Sequence, residues 1–182
     1  MPRKYDLGRR ADAKADTRRR ITEAAVELHA TVGPARTTIS AIAERAGVQR
    51  LTVYRHFREE RELFAACGAH WIAGNPPPDP APWTQIVDPR ERLLTALTAI
   101  YGWYRANEGM IANTERDARE LPELAAVAGP AAYLDPVREL LGPPEARAAL
   151  GHALAFSTWR SLARDQGLSD EDAAALIARL VE

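Results

Sequence analysis

Seven side chains between Gln49 and His56 set the chemistry of this chain. With Val53 and the following Phe57 turned inward, the helix-length segment 49–56 presents Gln49, Arg50, Leu51, Thr52, Tyr54, Arg55 and His56 outward. All but Leu51 can hydrogen-bond to phosphates or base edges. Arg50 suits the bidentate contact to guanine O6 and N7, and Gln49 the matching one to adenine. Leu51 or the Thr52 methyl suits a thymine methyl. Tyr54, His56 and the upstream Thr38 suit phosphate oxygens, which fix register without carrying sequence. A merely solvated helix face would be rich in Glu and Lys, and this one holds neither. The chemistry indicated is readout of duplex DNA, with no covalent step.

Signals for catalysis are poor, and no catalytic residue, cofactor or metal site is expected. The chain has no phosphate-cradling Gly-rich motif, no GxSxG, no HExxH and no paired CxxC. Cys67 and His70 stand three apart on one helix, but two ligands do not make a metal site. A buried thiol and a surface imidazole are the simpler reading.

The elements that must position the outward face are helical. Residues 1–15 lack apolar periodicity and read as a flexible basic arm, with Arg3, Lys4, Arg9 and Arg10 able to reach a minor groove. From Asp16, taken as an N-cap, Ile21, Ala24, Ala25, Leu28 and Val32 recur on one helical face up to Gly33-Pro34. A short helix capped by Thr38 carries Ile39, Ile42, Ala43 and Ala46 inward. It ends at Gly47, where the turn needs positive φ. The helix 49–56 follows, then a fourth over 59–73 with Leu63, Phe64 and Cys67 on one side. Helix, tight glycine turn and helix make a helix-turn-helix whose second helix enters a major groove. Residues 16–58 are thus expected to form a DNA-binding domain.

Residues 59–182 are expected to form a helical ligand-binding and dimerisation domain. It is interrupted at 74–82, a loop that holds five of the 13 prolines. Helical periodicity resumes at Pro89 with Leu93, Leu97, Ile100, Tyr101 and Tyr104. No stretch alternates with period two, so the fold class is all-α, with about nine helices. Trp71, Tyr101, Tyr104, Met110, Tyr133 and Trp159 are the candidates to line a pocket for a small, apolar or aromatic effector, although each is also a candidate core residue. The run Glu115, Asp117, Glu120 and Glu123, interleaved with Arg116 and Arg119, reads as a solvated, salt-bridged face. Two last helices, 145–166 and 170–181, carry small or apolar stripes. Leu150, Ala153, Leu154, Ser157 and Ser161 lie on the first, and Leu176, Ile177 and Leu180 on the second. That hairpin is expected to pair with its two-fold mate in a homodimer.

Composition agrees with a basic head on an acidic body. The 182 residues carry a formal net charge of -1. Residues 1–66 hold 14 Lys and Arg against 9 Asp and Glu, whereas 67–182 hold 10 against 16. One cysteine excludes a disulfide framework within the chain and suits a reducing compartment. No run of 18 apolar residues exists and the basic N-terminus leads into no apolar segment. A cytoplasmic protein with no membrane partner is expected. Basic residues are Arg except Lys4 and Lys14, a bias read as that of a GC-rich genome.

Residues 17–64, above all TTISAIAERAGVQRLTVYRHF at 37–57, resemble the DNA-binding domain of the TetR family of bacterial transcriptional regulators. The resemblance implies a homodimeric regulator, usually a repressor. Its body senses a small ligand, and ligand binding pulls the paired heads out of register with a pseudo-palindromic operator. Carried over by position, the DNA contacts fall on Thr38 and Ser40 and on Gln49, Arg50, Leu51, Thr52, Tyr54, Arg55 and His56. Three positions depart from the pattern. Glu60 stands where a phosphate-binding lysine is common, with Arg58 or Arg61 available to compensate. Leu51 replaces a small residue or proline. His29 replaces a core aromatic and is expected to be packed and hydrogen-bonded. The alternatives are an all-α small-molecule-binding protein or enzyme with a purely structural head, and a non-specific architectural DNA binder.

Overall fold

The computed structural model describes residues 4–127 and 131–181, all of it helix, turn and loop. Its helices are α1 (Lys4–Thr31), α2 (Ile39–Arg45), α3 (Arg50–His56), α4 (Glu60–Gly74), α5 (Pro89–Ala106), α6 (Glu108–Asp117), α7 (Pro122–Ala125), α8 (Ala131–Leu141), α9 (Arg147–Ala153), α10 (Phe156–Arg160) and α11 (Asp170–Val181). Short 3-10 turns cover Pro34–Arg36, Ala81–Gln85 and Pro144–Ala146, and a π-helical turn covers Ser161–Asp165. None of the described helices is long and apolar enough to cross a membrane.

The chain forms two compact units. The first is Met1–Asn75 with Gly109–Ala128, and the second is Pro76–Glu108 with Gly129–Glu182. The expected boundary at residue 58 therefore moves. α4, α6 and α7 pack with the head, because Leu63, Phe64 and Cys67 complete its core and Asp117 binds its backbone.

Residues 4–15, expected as a flexible arm, are the first turns of α1. Lys, Arg and Ala are good helix formers, and a charged run with few apolar residues shows no periodicity even when helical. Asp16 accordingly sits inside the helix, paired to Arg19 at 2.6 Å, rather than at its start. Arg3 and the Lys4 side chain lie outside the described residues.

The first unit is built on Ile21, Ala24, Ala25, Ile42, Ala43, Ala46, Val53, Phe57, Leu63 and Cys67, all buried together. Burial raises the Cys67 thiol to about 12, which leaves it an inert core group, while His70 is exposed. His29 is buried against the Phe64 ring at 5.8 Å. Burial holds this imidazole down at about 4, against a smaller upward pull from Asp117.

The second unit packs α5 against α11 around an aromatic centre. Tyr104, Phe156 and Trp159 meet with ring centroids 5.3–6.0 Å apart. The helix expected over 145–166 is broken. Ala155 is extended with ψ 135°, which separates α9 from α10. Two phenols satisfy carbonyls at the break: Tyr101 donates to Ala153 and Tyr104 to Leu154, each at 2.7 Å. Ser169 caps α11 as its spacing suggested, accepting from the Asp172 backbone N–H at 3.0 Å.

Candidate nucleic-acid interface

The helix-turn-helix is held by backbone geometry first. Thr38 is the N-cap of α2, its hydroxyl accepting from the Ala41 N–H at 3.1 Å. At the other end the chain turns on Gly47, at φ 64°. The Gly47 N–H donates to the Glu44 carbonyl at 3.1 Å and the Val48 N–H to the Ala43 carbonyl at 2.9 Å. That pair of bonds is the Schellman arrangement, and a side chain at position 47 would be strained by its φ. Arg20 of α1 donates to the Ala46 carbonyl beside the turn.

α3 buries Val53 and is closed by Phe57. Its C-terminal carbonyls need partners. Arg18 of α1 supplies one by donating to the His56 carbonyl, while its guanidinium lies 3.9 Å from the Phe57 ring centre. Two arginines of α1 therefore cap the two short helices. Nothing in their spacing distinguishes them from the neighbouring Arg19, which reaches Asp16 and Glu23 instead.

The rest of α3 faces out. Gln49, Arg50 and Arg55 are exposed, Thr52 and His56 half-buried. Leu51 is 66% exposed and Tyr54 47%. Thr38 and Ser40 at the start of α2 are exposed as well. Arg55 approaches the Thr52 hydroxyl at 3.4 Å, which leaves its guanidinium almost wholly available. Burial first, then Lys14, Arg18 and Arg55, hold His56 below the ordinary imidazole range. All nine expected DNA-facing residues thus sit on the α2–α3 surface. Glu60 is exposed in the first turn of α4, where the helix dipole favours a carboxylate.

A connection that sequence reasoning missed ties α6 to this head. Asp117, expected on a solvated face, is 3% exposed. It accepts from the Ala35 backbone N–H at 2.9 Å and from Arg116 at 2.6 Å. Burial pushes the Asp117 carboxyl up, but Arg116 and the Ala35 N–H outweigh it and leave the group below its ordinary range. Asn113 donates to the His29 and Ala30 carbonyls at 3.1 and 3.0 Å, closing the end of α1. Gly33, at φ 96°, has no room for a side chain beside Arg116 and Asp117. The segment VGPAR at 32–36 is shaped to receive α6, a relation between residues more than 80 apart that no local pattern carries.

The expected pocket residues divide between the units. Tyr101, Tyr104 and Trp159 are core residues of the second, and Trp159 donates to Asp170 at 2.8 Å. Arg105 binds the same Asp170 carboxylate with two bonds of 2.7 and 2.9 Å. Tyr133, half-buried, donates to the Pro78 carbonyl at 2.8 Å and so pins the proline-rich loop. Trp71 on α4 and Met110 on α6 are half-buried in the first unit.

The expected dimer residues divide too. Leu150, Ala153, Leu154 and Ile177 are consumed by the core of their own chain, and Leu176 is half-buried. Ser157 and Ser161 are exposed, and Leu180 is 71% exposed. Among the described residues no group of three His, Cys, Asp or Glu could hold a metal ion.

Comparison with known proteins agrees with this architecture. The family model for bacterial regulatory proteins of the tetR family matches residues 21–67. Among solved structures, the fatty acid degradation regulator FadR from Bacillus halodurans superposes with a TM-score of 0.64 at 18% identity, over 90% of this chain and 93% of that one. A TetR-like transcriptional regulator from Rhodococcus sp. RHA1 gives 0.61 at 21% identity, over 91% and 93%. The multidrug binding protein EbrR, complexed with imidazole, gives 0.62 at 22%, over 91% and 94%. No curated protein matches the chain. Residues 21–67 are thus similar to the tetR family's model, and the chain as a whole shares its fold with these solved regulators.

Proposed function

From a head of the tetR family and a chain that shares the fold of TetR-family regulators, we propose a ligand-responsive, sequence-specific transcriptional regulator, a repressor acting as a homodimer on a pseudo-palindromic operator. One observation carries the reading: α3 buries Val53 while holding Leu51 and Tyr54 out in solvent among Arg50, Arg55 and Gln49. Set among Arg50, Arg55 and Gln49, the exposed leucine and tyrosine suit a major groove, which offers thymine methyls to the first and phosphates to the second. Two such helices, related by a two-fold axis and roughly 34 Å apart, would read two half-sites. Of the residues expected at the dimer interface, Leu180, Ser157 and Ser161 are the ones exposed to a partner copy.

The effector acts on the helical body and is small and apolar or aromatic. The fatty acid and multidrug proteins among the structural neighbours support that class. The hydroxyls of Tyr101 and Tyr104 and the Trp159 indole already have internal partners, so an effector reaching them must displace them. α6 offers a route to the head, since it follows α5 directly and binds the end of α1 through Asn113.

Footprinting on the DNA upstream of the protein's own gene tests this reading. Two protected half-sites about one helical turn apart are expected. Leu180→Glu should leave the fold intact, shift the protein towards monomer in sedimentation, and reduce protection at both half-sites together. A wild-type protein that protects no site would favour the second reading, a helical small-molecule-binding protein or enzyme whose head is structural, which Glu60 and the aromatic body motivate.

A further inference from the structure

α6 is tied down at both of its ends. Its first residue, Glu108, belongs to the second unit, and the rest of the helix belongs to the first. Within the second unit, Arg164 donates two bonds to one Glu108 oxygen, at 2.9 and 2.6 Å. Arg164 lies in the π-helical turn after α10, where the Gln166 N–H reaches back five residues to the Ser161 carbonyl at 3.1 Å. Such turns are rare and recur at functional sites. The Arg164 guanidinium also stands 5.5 Å from the centre of the buried Trp159 ring, so its hold on Glu108 is seated on the aromatic centre. A carboxylate in the first turn favours the helix start whether or not it is paired. What the pairing adds is position.

From Gly109 onward α6 serves the head. A Cβ at Gly109 would come within 3.3 Å of the Ala30 carbonyl oxygen, so the helix passes close to the end of α1. Asn113 donates to the His29 and Ala30 carbonyls, and Arg116 to that of Val32. A helix C-terminus leaves such carbonyls without internal partners. Asp117 accepts from the Ala35 N–H, three residues before Thr38, the N-cap of α2. The intervening segment is closed by its own bonds, with the Thr37 hydroxyl donating to the Gly33 carbonyl at 2.8 Å. α6 thus fixes the entry to the helix-turn-helix.

We propose that Arg164 and Glu108 are positioning residues for DNA binding: their bond fixes the start of α6, and so how firmly Asn113 and Asp117 hold the entry to α2. The proposal rests on the regulator reading and adds to it a pair on which any disturbance at Trp159 acts. A head whose entry is loosely held must be ordered when it binds, which lowers affinity without the loss of any DNA contact.

The test uses the full chain with Arg164→Gln, Glu108→Gln and the double variant. Amide exchange followed by NMR reads Ala35, whose N–H is protected by Asp117 only while α6 is seated. Each single variant should speed Ala35 exchange about threefold, the range of a partly exposed ion pair, and the double variant no further. Affinity for the gene's own upstream duplex, measured by anisotropy, should fall about threefold in all three, with the salt slope unaltered. The two single variants change the net charge in opposite directions, so a loss common to both is not an effect of long-range charge. Ser169→Ala, which removes the α11 cap and weakens the second unit without touching the pair, should leave Ala35 exchange and affinity at wild-type values. Wild-type exchange at Ala35 in both single variants would overturn the proposal, as would equal acceleration by Ser169→Ala. Affinity changes of opposite sign in the single variants would also overturn it, and faster Ala35 exchange at unchanged affinity would remove the pair from DNA binding. If the wild type binds no duplex, the regulator reading fails and the DNA-binding role falls with it. Ala35 exchange then still decides whether the pair positions α6.

Discussion

Two groups of residues chosen by the same kind of pattern met opposite surroundings. On α3, Arg50, Leu51, Tyr54 and Arg55 are exposed as expected, with Thr52 and His56 half-buried. In the second unit, Tyr101, Tyr104 and Trp159 were candidates for both pocket lining and core, and they are buried, with every side-chain polar atom bonded internally. The difference is physical. A polar face on a short helix is legible because buried polar groups are costly, so a run of unpaired ones must face water or a ligand. An aromatic side chain gains the same transfer free energy from a core as from a pocket wall, so spacing cannot tell the two apart.

The contrast can be attacked first where the expected effect is largest. Trp159→Ala should cost about 3–5 kcal/mol in urea unfolding, since it empties a packed site and strips Asp170 of a donor. A cost below about 1 kcal/mol would mean that Trp159 borders open space, and the core assignment would fall.

Next comes the buried imidazole of the head. The unfolded chain protonates His29 near 6.5, whereas the folded one keeps it neutral down to about 4. In that window the unfolded state binds the additional proton, so stability falls as the pH drops through it and is unaffected above it. Up to about 3 kcal/mol is at stake. His29→Phe should abolish the pH dependence between 6.5 and 4 while retaining the contact with Phe64. A variant that keeps the wild-type pH profile would move its cause to another group.

The outward face should respond in binding and leave stability alone. Arg50→Ala is expected to remove about 1–3 kcal/mol of discrimination between specific and scrambled duplex, with an unchanged urea midpoint. Tyr54→Phe should have the smallest effect, about 0.5–1.5 kcal/mol of affinity lost equally on all sequences. Reversal of that pattern, with Tyr54 governing sequence choice, would reassign which side chain reads bases.

How far the sequence could be read follows from the range of the interactions. The α2 N-cap at Thr38, the Gly47 turn and the inward Val53 and Phe57 lie within a few residues of one another, and each was visible. The α6 attachment was not, because the Asp117–Ala35 and Asn113–His29 contacts span more than 80 residues. The alternation of Glu115, Arg116 and Asp117 imitates a solvated face, although Asp117 is buried. The break at Ala155 was equally hidden. It is stabilised by the phenols of Tyr101 and Tyr104, some 50 residues away, while the local sequence reads as continuous helix. The helical start of α1 was missed for a different reason, since charged helix formers leave no hydrophobic period to detect.

The most direct test of the central claim is fluorescence anisotropy of the purified protein on the DNA upstream of its own gene, with excess scrambled competitor. A regulator of this kind should bind in the nanomolar range, survive the competitor and saturate at two protomers per site. Binding that the scrambled duplex removes as readily as the specific one would contradict sequence readout by α3.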